Sequence, residues 1–309
     1  MCLELQEIDT LAEMEALEPQ WRELWTRDPR ATPFQSPDWL IPWTRLLWGG
    51  GKLRVLAFRD GGRLVALAPL FQWGLETICL SFLGSGITDY LDIVAEPEFA
   101  PLAARQLLAS TELFVGCDLV DLQELRSDSP LLAEGGPPWR NTPSNVCPVL
   151  PLASSTGGLL AGLDSKFRTD LRRAENRLRR AASIEFTPAT QANYLELLEA
   201  LFCLHTARWE QRSNSGVLAA DALRAFHRES ASRFLAAGML RLYGLIADGR
   251  PIAIQYNLAA KGRVYAYLSG FDPEWSRYSP GGVLLKHSME CAIEEHAVEF
   301  DFLRNGESF

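Results

Sequence analysis

The residue pattern with the clearest chemical meaning stands near the end of the chain, at Ser279-Pro280-Gly281-Gly282. Apolar residues then recur at i, i+4, i+7 and i+8, which predicts an amphipathic helix; they are Leu285, Met289, Ala292 and Ile293. A helix that begins with glycines leaves backbone N–H groups without partners and exposes the positive end of its dipole. The pattern favours a phosphate or pyrophosphate site; the alternative is an ordinary loop that leads into a helix.

A second group of reactive side chains, Asp89, Tyr90 and Asp92, lies beside Gly86. If residues 90–92 are extended, Tyr90 and Asp92 share one face because side chains alternate along a strand. Two carboxylates and a phenol suit a general-base or acceptor site. The alternative is that these side chains cap turns within a loop.

His205, Arg208 and Trp209 form a third group, spaced at i, i+3 and i+4 within a predicted helix at 194–209. Residues with this spacing share one helix face. They would surround an acceptor with an imidazole, a guanidinium and an indole. The alternative is a half-buried helix whose His and Arg pair with carboxylates. No two histidines have the spacing of metal ligands, so we predict no metal site.

A basic segment at 166–180 carries seven Lys and Arg residues and two acids. An apolar stripe at steps of four, four, three and four predicts that it is helical; the stripe is Leu163, Phe167, Leu171, Ala174 and Leu178. Such a helix commonly turns its charges to solvent. The other interpretation is an anion contact, with CoA phosphates, a polyanionic acceptor, a membrane surface or tRNA.

The elements that position these groups occur twice along the chain. Apolar segments at 53–58 and 64–68, and again at 240–246 and 252–254, flank Asp-Gly turns and predict two β-hairpins. After each hairpin we predict a strand, a helix and a last strand, at 78–83, 101–108 and 119–122 and at 264–268, 283–295 and 298–302. The repeated order indicates a duplicated α/β unit. The Pro- and Gly-rich segment 127–162 is the boundary region, which predicts domains at 1–143 and 144–309.

Composition limits the function classes. The chain has 309 residues, of which 47% are hydrophobic and 22% charged, as in a folded globular protein. Its net charge of −9 argues against a general polyanion-binding protein. Six dispersed cysteines form no CxxC motif, and Cys79, Cys117, Cys203 and Cys291 lie in apolar or periodic segments that predict buried thiols. With no signal peptide or membrane span in the sequence, we expect a cytoplasmic protein.

Several segments in a fixed order resemble the two-domain GNAT-like acyltransferases known as BioF2-like or CelD-like, which share the Fem-type fold. The segments are Phe34-Gln35-Ser36-Pro37-Asp38-Trp39, Gly86-Ile87-Thr88-Asp89-Tyr90-Leu91-Asp92, Lys166-Phe167-Arg168-Thr169-Asp170-Leu171-Arg172-Arg173, His205-Thr206-Ala207-Arg208-Trp209-Glu210, Phe226-His227, Gly270-Phe271-Asp272-Pro273, Ser279-Pro280-Gly281 and Phe300-Asp301-Phe302-Leu303-Arg304. The resemblance covers nearly the whole chain. It implies an α/β fold of two tandem GNAT-like domains, each with a mixed, mainly antiparallel sheet flanked by helices.

The resemblance also implies acyl transfer from acetyl-CoA or another acyl-CoA to an amine or hydroxyl. The acceptor would be a small molecule or a glycan-related compound, and exopolysaccharide or envelope biosynthesis is the implied setting. The donor pyrophosphate would meet Arg277, Ser279, Gly281 and Gly282, although Arg277 has the alternative of a solvated loop arginine. Asp89, Tyr90, Asp92 and His205 would be catalytic, and Arg208, Trp209, Asp301 and Arg304 would bind the acceptor; Asp301 and Arg304 alternatively pair with each other or with neighbours.

Two other functions remain compatible with the same residues. A Fem-like aminoacyl-tRNA-dependent ligase would hold tRNA on the basic helix, and a non-catalytic accessory protein of exopolysaccharide biosynthesis would bind no donor. Family members continue beyond the segment at 300–304, whereas this chain stops at Phe309. The resemblance therefore implies a second domain shortened at its C-terminus, without the elements that complete the acceptor side.

Overall fold

The computed structural model describes residues 2–158, 164–210, 218 and 220–304, without the side chains of Phe167 and residues 208–210. The chain divides into two compact units, Met1–Ser144 and Asn145–Phe309. Each unit consists of a mixed sheet with helices packed against it. The α/β class predicted from the sequence is confirmed.

The first unit has six strands and five helices among its described residues. The strands are β1 (Glu4–Ile8), β2 (Lys52–Asp60), β3 (Arg63–Trp73), β4 (Cys79–Phe82), β5 (Val94–Ala95) and β6 (Leu119–Val120). The helices are α1 (Leu11–Ala16), α2 (Glu18–Arg27), α3 (Pro37–Leu46), α4 (Ala100–Ala109) and α5 (Pro130–Glu134), with a short 3-10 helix at Pro33–Gln35.

The sheet of the first unit runs β1-β2-β3-β4-β6, and β5 pairs with β3. Every pairing is antiparallel except β4 with β6, which α4 connects as a parallel crossover. The β2–β3 hairpin closes at Asp60 and Arg63 through Gly61 and Gly62, both of which have positive φ. Glycine is favoured there because the tight hairpin turn needs the left-handed conformation at both central residues. The first predicted hairpin is thereby confirmed.

The described residues of the second unit contain six strands and four long helices. The strands are β7 (Val149–Pro151), β8 (Ile184–Pro188), β9 (Leu240–Ala247), β10 (Arg250–Ala260), β11 (Arg263–Phe271) and β12 (Glu299–Asp301). The helices are α6 (Ser165–Ala181), α7 (Tyr194–Glu210), α8 (Asp221–Ala236) and α9 (Pro280–Glu294), with a 3-10 helix at Pro273–Tyr278.

The sheet of the second unit runs β7-β12-β11-β10-β9-β8. Here too one pairing is parallel, β11 with β12, and α9 connects the two strands. The second predicted hairpin is confirmed, because β9 and β10 close at Ala247 and Arg250 around Asp248-Gly249. The two units therefore share one order of elements, a hairpin, a third antiparallel strand, a helix and a parallel strand.

Helices cover both faces of this second sheet. On one face, α6 and α9 bury Leu178 and Val283 against Leu245 and Ala253. On the opposite face, α7 approaches the strands closely. A Cβ placed on Gly270 of β11 would lie 2.9 Å from the backbone nitrogen of His205, and one on Gly244 would lie 2.8 Å from a methyl of Leu197. We call these the α6–α9 face and the α7–α8 face.

One prediction about local structure needs correction, and another stays a prediction. Residues 90–92 belong to no strand, and the alternation of Tyr90 and Asp92, which depends on an extended backbone, stays a prediction. Cys203 is exposed and not buried, because it falls on the solvent side of α7, whereas Cys79 is buried and Cys117 and Cys291 are half-buried. The predicted stripe on the basic helix is confirmed where its side chains are described, since Leu171, Ala174 and Leu178 are buried; Leu163 and the Phe167 side chain lie outside the described residues.

Candidate functional site

The junction between β11 and α9 presents a helix N-terminus directly after a strand. Asp272 caps the 3-10 helix by accepting from the Glu274 N–H at 2.9 Å, and this turn delivers the chain to Ser279. Ser279 is left-handed, with φ of 51°, and Pro280 is the first residue of α9. Since proline has no N–H, the first free donors of the helix are those of Gly281 and Gly282.

The surroundings of these two glycines leave room for a ligand to approach the backbone. A Cβ on Gly281 would contact Phe271 at 3.6 Å, and one on Gly282 would contact Leu171 at 3.5 Å, both ordinary distances. Arg277 and Ser279 are exposed beside them, and the Arg277 guanidinium lies 4.7 Å from the centre of the Tyr278 ring. Backbone N–H groups, a helix dipole and a guanidinium together suit an anion such as a pyrophosphate. The structure thus brings together the four residues predicted to meet the donor.

The two parallel strands beside this junction separate soon after they meet. β11 pairs with β12 only from Arg263 to Tyr265, yet it stays paired with β10 as far as Phe271. Within the described residues, the β12 side of β11 from Ala266 onward therefore has no strand partner. An unpaired strand edge offers N–H and C=O groups to an extended ligand.

A β-bulge lies at the point of separation. Tyr256 pairs with Leu268 and the adjacent Asn257 pairs with Ala266, so Tyr267 is the extra residue. Bulges commonly occur next to active sites. β11 rises about 13 Å from Tyr267 to Phe271, at about 3.3 Å per residue.

Asp301 and Arg304 follow β12 near this point. Asp301 pairs with Tyr265 across the parallel ladder and is 3% exposed. Its carboxylate accepts from the Leu303 N–H at 2.8 Å, which holds the turn after β12. Arg304 is partly buried. Their proposed contact with an acceptor stays a prediction.

His205 is buried on the inner side of α7, with its backbone against Gly270 of β11. Gly270 follows the bulge residue Tyr267 by three residues along β11, so His205 lies near the bulge. The side chains of Arg208 and Trp209 lie outside the described residues. The predicted common face of the three residues is therefore not tested.

Asp89, Tyr90 and Asp92 belong to the first unit, where they are each 8% exposed. The Arg126 guanidinium lies 5.4 Å from the Tyr90 ring centre. Asp92 accepts from the Ile93 N–H at 2.8 Å and is near Ser129 and Arg30. Burial raises the pKa of the Asp92 carboxyl to about 7, against the lowering effect of the Ser129 and Ile93 hydrogen bonds. A carboxyl that titrates near neutral pH has the proton affinity that general-base catalysis favours.

The basic helix α6 keeps part of its charge without partners. Arg179 bonds to Glu175 at 2.8 Å, and Glu175 also meets Lys286 of α9 at 3.3 Å. Four other cations of α6 are exposed and form no ion pair with described residues; they are Lys166, Arg172, Arg177 and Arg180. A Cβ added to Gly282 would lie 3.5 Å from the Leu171 side chain of α6, so this helix lies beside the N-terminus of α9.

The described residues contain neither a candidate metal-binding group nor a membrane-spanning helix. No group of three His, Cys, Asp or Glu side chains there has an arrangement that would hold a metal ion. None of the helices in the described part of the chain is both long and apolar enough to cross a membrane.

The sequence of the second unit is similar to that of a known protein family. Residues 165–309 match the family described as "Acetyltransferase (GNAT) domain". No curated protein sequence matches the chain significantly. The matched segment includes the parallel strands, the bulge and the N-terminus of α9.

Solved structures extend the similarity to both units. FemX is 11% identical over 99% of this chain and 90% of its own, with a TM-score of 0.66. The C-terminal domain of a protein named as a lysylphosphatidylglycerol synthetase, from Agrobacterium fabrum, is 14% identical over 96% of this chain and 78% of its own, with a TM-score of 0.58. L-PGS from Bacillus licheniformis is 14% identical over 87% of this chain and 74% of its own, with a TM-score of 0.54. At such identities the similarities establish the fold alone, and the chain has the predicted two-domain GNAT-like fold.

Proposed function

We propose that this protein transfers an acetyl or other acyl group from an acyl-CoA to an amine or hydroxyl acceptor. The observation that carries the proposal is the separation of β11 from β12 next to the N-terminus of α9. The glycine N–H groups would bind the pyrophosphate, with Arg277 adding charge. The pantetheine arm would extend along the unpaired edge of β11, where its amides meet backbone N–H and C=O groups.

The transfer would proceed by direct attack of the acceptor on the thioester carbonyl, so it needs no enzyme nucleophile. A backbone N–H on the β12 side of β11 would polarise that carbonyl. Asp89, Tyr90, Asp92 and His205 stay as proposed groups for proton transfer, and Arg208, Trp209, Asp301 and Arg304 as proposed acceptor contacts. The acceptor we propose is a small molecule or an envelope- or polysaccharide-related compound, following the resemblance to BioF2-like and CelD-like proteins.

Isothermal titration with acetyl-CoA, longer acyl-CoAs and free CoA tests the donor. We expect micromolar binding that disappears in the Arg277→Ala, Gly281→Glu double variant, because the added carboxylate repels the pyrophosphate. Tyr267→Phe is the control. It should bind acetyl-CoA as the wild type does, since it keeps the backbone of the bulge. Binding that survives in the double variant would move the donor away from α9, and no binding by any CoA compound would reject the proposal.

The exposed cations of α6 favour a second candidate, a Fem-like ligase that takes its acyl group from aminoacyl-tRNA. Neutralising Lys166, Arg172, Arg177 and Arg180 to Gln tests it, since a helix that holds RNA phosphates gives salt-dependent binding. This candidate predicts RNA binding that falls steeply with salt and weakens in the variant, together with no binding of CoA. If the variant binds CoA as the wild type does and neither protein binds RNA, the ligase candidate is wrong and the acyl-CoA proposal stands.

A further inference from the structure

A buried group of polar side chains lies on the α7–α8 face, behind the bulge of β11. His227 and Ser230 of α8, spaced at i and i+3, are 1% and 0% exposed, and Tyr256 of β10 is 0% exposed. The His227 ring centre lies 6.1 Å from that of Tyr256 and 5.7 Å from that of Tyr267, and the two tyrosine rings are 5.8 Å apart. We call His227, Ser230 and Tyr256 the α8 polar cluster.

Tyr267 connects this cluster with the point where β11 leaves β12. It is the extra residue of the bulge, and unlike the three cluster residues it is partly exposed. The backbone of Tyr267 is where the proposed thioester would lie. A group held by the α8 polar cluster would therefore approach the acyl carbon from the α7–α8 face.

Two hydroxyls of the cluster lack hydrogen-bond partners among the described residues. They are the Tyr256 Oη and the Ser230 Oγ, and both are fully buried. A buried polar group without a partner destabilises the fold. Tyr243 on the opposite face of the same sheet differs, because its hydroxyl interacts with the Cys291 thiol. The cost at Tyr256 and Ser230 is offset when a ligand supplies hydrogen-bonding groups.

The electrostatics of the cluster disfavour a cationic ligand. Burial, together with a smaller effect of nearby His205, lowers the pKa of the His227 imidazole to about 3, so the ring is neutral at physiological pH. Burial also raises the pKa of the Tyr256 phenol, which stays protonated. The Arg224 and Arg228 guanidiniums lie 5.7 and 5.5 Å from the Phe202 ring centre, itself 6.4 Å from that of His227. Arg228 is neutralised by Glu199 at 2.6 Å, whereas Arg224 bonds to the Leu218 carbonyl at 2.8 Å.

From this geometry we infer that the α8 polar cluster binds the hydroxyl group of an alcohol-type acyl acceptor, so that acyl transfer is to oxygen. The inference rests on the proposed acyl-CoA function and narrows its acceptor. In the reaction, the acceptor oxygen forms a bond to the acyl carbon and the C–S bond breaks. The proton of the hydroxyl leaves with the sulfur, which gives an ester and free CoA. An ammonium group would enter this site without a counter-charge and is disfavoured.

The test compares Tyr256→Phe, which removes one unpartnered hydroxyl, with Tyr243→Phe, the matched change on the other face. Acetyl-CoA binding is measured first by titration. Release of free CoA is then followed by chromatography with water alone and with 1-butanol or butylamine at pH 7, where the amine is an ammonium. We expect 1-butanol to raise CoA release above that with water alone, and butylamine not to raise it. Tyr256→Phe should lower the release at least tenfold and Tyr243→Phe less than twofold, with acetyl-CoA affinity unchanged in both.

The possible outcomes separate this inference from the proposed function. If acetyl-CoA does not bind the wild-type protein, the donor proposal itself fails. If it binds and butylamine is the better acceptor at pH 7, or if Tyr256→Phe releases CoA as fast as Tyr243→Phe, the donor proposal stands and the hydroxyl inference is wrong. Circular dichroism of both variants identifies loss of folding, and in that case Ser230→Ala replaces Tyr256→Phe with the same expected result.

Discussion

The two units have the same order of strands around one helix crossover, yet the segment that connects the preceding strand to that helix differs between them. In the second unit, β11 reaches α9 through one short 3-10 turn, and α9 begins with Pro280, Gly281 and Gly282. In the first unit, residues 83–99 separate β4 from α4, and α4 begins with Ala100 and Pro101. A single topology thus leads to a partly buried N-terminus with two glycines in one case and to a longer connection in the other.

The longer connection in the first unit is part of that unit's core. Leu91 packs into the apolar cluster with Phe82 and Leu70, and Thr88 accepts from the Trp39 indole N–H at 2.9 Å. Gly84 has positive φ, and an added Cβ would lie 2.8 Å from the Thr88 Oγ1. Glycine is required there by the packing of the protein itself. In the second unit, the space at Gly281 is free of such contacts, which is consistent with a ligand.

The largest effect we expect comes from Gly84→Ala, which tests whether packing in the first unit requires glycine at this position. The added methyl forces a left-handed residue against Thr88, Leu40 and Leu91, with contacts of 2.8–3.2 Å. Backbone strain and overpacking together should destabilise the first unit by about 2–4 kcal/mol. Hydrogen exchange of peptides from residues 79–95 measures this, with exchange of residues 263–294 as the internal control. Equal protection in variant and wild type would show that the connection does not need glycine.

The next effect is an opposite response of the two units to pH. The pKa of Asp92 is raised to about 7, so its stabilising contribution is complete at low pH and is lost as pH rises toward 7. The pKa of His227 is lowered to about 3, so its contribution is complete above about pH 6.5 and is lost as pH falls. Between about pH 5.5 and 7.5 each unit should change by about 1–2 kcal/mol, the first losing stability and the second gaining it.

Hydrogen exchange at the two pH values, corrected for intrinsic rates, measures both responses in one experiment. Asp92→Asn should remove the response of the first unit alone, and His227→Gln that of the second. His296, which is exposed, provides the control His296→Gln. A response of the same sign in both units would contradict this assignment of the two buried groups.

The smallest effect is expected for Gly281→Ala. The new Cβ would touch Phe271 at the ordinary distance of 3.6 Å, and alanine suits a helix better than glycine. Stability should change by no more than about 0.5 kcal/mol, as judged by urea unfolding. A loss as large as that of Gly84→Ala would mean that both glycines serve packing and that the two units do not differ here.

Some elements of this molecule can be predicted from the sequence and others cannot. The hairpins, α9 and the stripe of α6 are recognisable because turn glycines and helical periodicity are local signals. The edge strands β1 and β8 were missed, because each has only five residues and mostly exposed or half-buried side chains without clear alternation. Strands of this kind are defined by the neighbour they pair with, which lies far away in sequence.

The candidate site shows the same limit. Residues 277–282 are predictable as an anion site because the signal is contiguous. The α8 polar cluster was missed: Phe226-His227 contributed only to the family resemblance, and Tyr256 was not singled out. Its polar groups come from two elements, α8 and β10, and the register shift that makes the neighbouring Tyr267 a bulge has no signal in the sequence. A polar His and Ser on the apolar side of a helix are the one local signal that would have indicated it.

The most direct test of the account places the same charge at the same helix position in both units. Gly281→Glu in α9 and Pro101→Glu in α4 each put a carboxylate at the second residue of the helix, where it suits the dipole and should not unfold the protein. Titration with acetyl-CoA should show micromolar binding for the wild type and Pro101→Glu, and a loss of at least a hundredfold for Gly281→Glu. Equal affinity in the two variants would contradict the claim that the N-terminus of α9 holds the donor pyrophosphate.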